Sequence, residues 1–148
     1  MARTADALID ARGPRFASII TAVVLGVALI GIYTWTFPIL VGLQALVFFI
    51  GAALGVTRQP YVVFFRVVLA PRMSPAPRWQ DPRAPRIAQA IALVLLIIAL
   101  SAWVVGGLTV AAICVAAAFV VALTLALTGF CIGCQGYTVY QDIRRASP

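Results

Sequence analysis

Every basic residue of this chain is an arginine, and all eleven lie outside two long uncharged runs, Phe16 to Thr57 and Ile87 to Gln141. A helix rises ~1.5 Å per residue, so the shorter run alone would reach about twice the ~30 Å thickness of bilayer hydrocarbon. Each run must therefore fold back once. Composition agrees: 64% hydrophobic residues, 10% charged residues and a mean hydropathy of +1.08 lie outside the range of a soluble globular domain. With 148 residues, the chain has material for a single membrane domain and no separate soluble enzyme.

Breakers and interfacial aromatics locate the folds. Tyr33, Trp35 and Phe37 precede Pro38, and Trp103 precedes Gly106 and Gly107. Four spans are expected, at about 16–34, 38–57, 87–105 and 108–129. The hairpin tips carry no charge, whereas the N-terminal segment, the central segment and the tail hold all the arginines. The positive-inside rule then predicts an integral plasma (inner) membrane protein with cytoplasmic N and C termini and a cytoplasmic central loop. A cleaved export signal is the plain alternative for the opening, but the apolar run far exceeds the ~7–15 residues of such a signal's core.

The chain also repeats itself. The segments 9–17 and 80–88 share the pattern Asp-x-Arg-x-Pro-Arg-apolar-Ala, 71 residues apart, each directly before a span. Two tandem hairpins entering the membrane in the same sense predict a pseudo-twofold axis along its normal. The expected fold is thus an all-α membrane protein: four transmembrane helices as two tandem helical hairpins in parallel repeat. Repeat one covers about 9–70, a linker about 71–79 and repeat two about 80–145. Pro14 and Pro85 suit the first helical position. Asp10 could clamp onto Arg83 or Arg86, and Asp81 onto Arg12 or Arg15, as bidentate ion pairs. The competing reading makes Arg12, Arg15, Arg83 and Arg86 a site for an anionic ligand. Attraction to a bilayer with anionic lipids accounts for most of the +7 charge, which does not indicate nucleic acid.

The central segment is rich in proline. Its part from Tyr61 to Leu69 is apolar except for Arg66 and could form an interfacial helix; a plain connector is the simpler expectation. Gly51 and Gly55 form a small-xxx-small face, read first as packing inside the bundle and second as a homo-oligomer contact. Cys114, among alanines in the fourth span, reads as filling.

The only pair of closely spaced reactive side chains is Cys131-Ile132-Gly133-Cys134. Histidine, lysine and glutamate are absent, which removes the usual general bases and most metal ligands. No cofactor or metal is expected, since two thiolates fall short of the four ligands zinc prefers unless two chains share an ion. The spacing brings both sulfurs to one face of a helical turn, as in dithiol oxidoreductase motifs. A reducing cytoplasm favours a cycling pair over a structural disulfide. If Gly129 ends the fourth helix, a new helix start can favour thiolate; if the helix runs on, its negative end disfavours thiolate.

With the two rim motifs and Phe130-Cys131-Ile132-Gly133-Cys134-Gln135-Gly136-Tyr137 in place, the chain resembles a bacterial, actinobacterial-type integral membrane family, domain of unknown function family 4395, from about Ile9 to Arg145. That resemblance implies thiol or sulfur handling by association with thioredoxin-like proteins and sulfurtransferases, and carries no defined activity. Quinone-coupled disulfide-forming enzymes look similar in size, but this chain lacks their second cysteine pair. The leading expectation is thiol redox or sulfur relay through Cys131 and Cys134 with such a partner. The alternative is a noncatalytic accessory or scaffold subunit of a larger membrane complex, with the cysteines as packing. A transporter is the third reading, and the spans hold no charge to mark a pathway.

Overall fold

A computed structural model of the chain describes residues 9–75, 79–80, 82–129, 139–140 and 142–146. Among the described residues, four helices are long and apolar enough to cross a membrane: α1 (Arg12–Ile30), α2 (Thr36–Leu54), α4 (Arg83–Val104) and α5 (Leu108–Thr128). Between α2 and α4 the short helix α3 (Pro60–Phe64) continues as a π-helix, Phe65–Leu69, and a 3-10 turn, Ala70–Arg72. The central segment is therefore helical where a plain connector was the simpler expectation.

α1 and α4 start earlier than the uncharged runs suggest, because the rim arginines occupy their first turns. Pro14 and Pro85 accordingly stand at the third helical position, not the first. The change is harmless, since the first four amides of a helix have no intrahelical acceptor. Pro38 takes the same place in α2.

Each long helix packs on two neighbours, α1 on α2 and α5, and α4 on α2 and α5, which closes a four-membered ring. The first helix of each repeat meets the second helix of the other, so neither hairpin forms a separate unit. Inside the ring lie Leu25, Ala28, Phe37, Val41, Leu96, Ala99, Ala111 and Val115, all fully buried. They obey the repeat. Leu25 and Ala28 match Leu96 and Ala99 at an offset of 71, and Phe37 and Val41 match Ala111 and Val115 at 74. The second hairpin thus carries three extra residues near its tip. There Trp103 donates its indole N–H to the Ile32 carbonyl at 2.8 Å and meets Trp35 edge-on, joining the two turns.

Two strands, β1 (Ile9–Asp10) and β2 (Trp79–Gln80), pair antiparallel with Ile9 opposite Gln80. These two residues are repeat equivalents. A position that pairs with its own counterpart lies on the twofold axis, so the short ladder marks where that axis passes at the arginine-bearing end.

Candidate functional site

The arginine motifs act across the repeats on backbone. Arg15, from the first turn of α1, donates Nε–H to the Ala126 carbonyl at 2.9 Å and an Nη2–H to Leu127 at 3.2 Å, at the end of α5. Arg86, from the first turn of α4, does the same at the end of α2, with Nε–H to Ala52 at 2.6 Å and Nη2–H to Ala53 at 2.9 Å. The same atoms serve equivalent carbonyls. The last four carbonyls of a helix lack intrahelical donors and carry its partial negative charge, so a guanidinium fork answers both needs.

Arg15 and Arg86 thus each cross from one repeat to the other, onto backbone carbonyls. Asp10 accepts the Arg12 amide at 2.9 Å, two residues along its own chain. The Arg12 guanidinium donates to the Ser74 and Pro75 carbonyls and so fastens the start of the linker. Asp81, Cys131 and Cys134 lie outside the described residues. Cys114 is half-buried and packs against the core.

Both capped helices end on a left-handed or otherwise positive-φ glycine, Gly55 at +99° and Gly129 at +68°. Only glycine adopts such conformations without a Cβ clash. Gly55 is thus a terminator and not part of a helix-packing stripe, and α5 stops at Gly129, whose N–H bonds the Leu125 carbonyl at 2.9 Å. Gly51 serves as space: a Cβ there would collide with the amide of Gln89 from α4.

A set of uncharged polar side chains joins the helices from the rim to the middle of α1 and α2, and the charge pattern alone overlooks it. Gln44 donates to the Thr21 hydroxyl at 3.0 Å and accepts from the Tyr61 hydroxyl at 3.1 Å, which ties α1, α2 and α3 together. Gln89 donates to Gln59 at 2.6 Å. Burial pushes the Tyr61 phenol above its ordinary value of 10.0, so the hydroxyl remains a donor. Polar residues within apolar spans were the available signal, because in hydrocarbon each must find a partner.

A cavity of about 550 Å³ opens between β1, the turn after α2, the α3 segment and the start of α4, with Arg66, Arg83, Arg86 and Asp10 in its wall. A smaller one of about 80 Å³ lies between the four long helices, with Ser18, Thr21, Gln59 and Gln89 as its polar lining. Among the described residues no three cysteine or carboxylate side chains gather as a metal-binding group.

No curated protein and no solved structure matches this sequence. The family model described as "Domain of unknown function (DUF4395)" matches residues 9–142, from the first rim motif past the cysteine pair, and the chain belongs to that family.

Proposed function

We propose that this is a membrane-embedded thiol protein that uses Cys131 and Cys134, on the cytoplasmic side, to exchange a disulfide or a sulfane sulfur with a thioredoxin-like or sulfurtransferase partner. The observation that carries the reading is the guanidinium of Arg15 at the end of α5. A bare helix C-terminus, with about half a negative charge, would oppose a thiolate nearby. Arg15 reverses that sign with a full positive charge. Cys131 follows Gly129 by two residues, which extend at most about 7 Å, and the Arg15 guanidinium adjoins Gly129. A fixed cation near a thiol lowers its pKa and favours the nucleophile.

The repeat supplies a second argument. Caps, terminal glycines and core positions occur in both halves, but the registers of Cys131 and Cys134 are held in the first half by Thr57 and Pro60. The first half does without sulfur at these registers, which supports a role for the pair beyond packing.

In the exchange, one thiolate attacks the partner's disulfide, forming a mixed disulfide and releasing the partner's other sulfur as thiolate. The second cysteine, as thiolate, then displaces the partner's remaining sulfur. The chain ends as a Cys131–Cys134 disulfide, the partner as a dithiol, and a reduced dithiol protein reverses the step. For sulfane transfer, the thiolate takes the terminal sulfur of a persulfide and the donor leaves as thiolate.

The test traps the intermediate. In membranes from cells carrying Cys131→Ser or Cys134→Ser, the variant lacking the resolving thiol should accumulate a reductant-sensitive adduct with a second protein. If neither does, and the double variant works like wild type, the accessory-subunit reading takes its place. In the same membranes, Arg15→Gln should shift the pH profile of thiol alkylation upward and slow it about 3- to 10-fold at neutral pH.

A further inference from the structure

Independently of the thiol reading, we infer that the 550 Å³ cavity is a binding site for one anionic phospholipid, held by its phosphoryl group with the upper part of an acyl chain against the apolar wall. The volume falls within the ~300–1,000 Å³ of small-molecule sites. Its two faces differ in chemistry. Ile9, Val56, Val62 and Phe65, from β1, the turn after α2 and the α3 segment, form an apolar side. Among the described lining residues, Arg66, Arg83 and Arg86 face them with one carboxylate, Asp10, in opposition, a surplus of two positive charges.

Within the described wall, the hydrogen bonds made by Arg86 and Asp10 do not cancel that surplus. Arg86 donates to neutral carbonyls, which leave its charge intact. Arg66 makes no hydrogen bond or ion pair with any described residue. The Asp10 carboxylate already accepts the Arg12 amide. With Arg83 set aside altogether, Arg66 and Arg86 still outnumber Asp10 among the described lining residues. Guanidinium cannot shed its proton to relieve the excess. The ligand must bring negative charge, and arginine forks match phosphoryl oxygens best.

The apolar wall selects an amphiphile over a free anion, and the location agrees. The cavity lies at the ends of helices long enough to cross a membrane, on the arginine-bearing side, where headgroups of an adjoining leaflet stand. A flat basic rim would attract acidic lipids without retaining one. A concave site bounded by apolar residues retains it.

The test uses the full chain in neutral detergent, with lipid binding followed by native mass spectrometry and each variant checked for unchanged thermal unfolding. Phosphatidylglycerol should give a retained one-to-one adduct and phosphatidylcholine a much weaker one. Arg66→Gln should weaken the phosphatidylglycerol adduct about tenfold. Ala70→Phe, which intrudes on the cavity without altering charge, should weaken it as well. Arg72→Gln removes the same charge from an exposed residue outside the cavity and should leave the adduct within about twofold. Equal loss for Arg72→Gln and Arg66→Gln would reduce the effect to surface charge and overturn the proposal. So would equal retention of phosphatidylcholine, or displacement of the lipid by inorganic phosphate at matched concentration.

Discussion

Replacing Arg86 by glutamine removes the fork that closes the end of α2, while the side chain stays polar and of similar length. Two charge-assisted hydrogen bonds are lost, to Ala52 and Ala53. In a dry interior such bonds contribute ~1.5–3 kcal/mol each, but this residue is exposed and water can replace it, so ~0.5–1 kcal/mol each is the better figure. Loss of the favourable charge at the helix end adds ~0.3–1 kcal/mol. The expected destabilisation is about 2 kcal/mol, roughly a 30-fold change in the folded-to-unfolded ratio. Reversible unfolding in mixed micelles, followed by tryptophan fluorescence and circular dichroism, measures it. Arg86→Lys keeps the charge without the fork and should recover less than half. Arg15→Gln, the repeat equivalent, should cost about the same, and the two losses should add within ~0.5 kcal/mol because the caps share no partner. An Arg86→Gln protein within ~0.5 kcal/mol of wild type, or full recovery with lysine, would refute the capping account.

Two other substitutions probe the polar layer. Gly51→Ala should destabilise by about 1–3 kcal/mol through collision with Gln89, and combining it with Gln89→Ala should give a loss smaller than the sum of the two singles by more than ~1 kcal/mol. Tyr61 has a raised folded pKa, so its stabilising contribution is complete below the ordinary phenol value of 10.0 and is lost as pH climbs from there through the folded value. In that window the unfolded chain binds fewer protons than the folded one, and stability falls with pH. Tyr61→Phe should abolish that alkaline component in unfolding curves recorded across pH.

The helix number, the hairpin order and the repeat are legible in the sequence because they rest on charge and breakers. The inner and outer faces of the spans are not. Leu25 is fully buried while Ile19 and Val23 of the same helix are exposed, and lipid accepts all three equally. What distinguishes the interior is smallness and uncharged polarity, as at Ala17, Thr21, Ala28 and Gln44, since close approach and hydrogen bonding replace the hydrophobic drive between helices in hydrocarbon. The arginine partners were hidden for another reason. Carboxylates appear as letters, and so Asp10 and Asp81 drew attention; the open carbonyls of Ala52, Ala53, Ala126 and Leu127 belong to the backbone and appear nowhere in composition. The sequence leaves open whether the fourth helix runs through Gly129, and the positive φ of that residue ends α5 there.

The strand pair in which Ile9 faces Gln80 has an ancestral implication. Contacts that map onto themselves under a half-turn are those through which two identical chains associate, so a lone hairpin with one motif could assemble with a second copy of itself in this geometry. Within one polypeptide, each half is released from having to match the other. Thr57 and Cys131, equivalent in sequence register and different in chemistry, are what that freedom permits: one half free to specialise while its twin preserves the original frame.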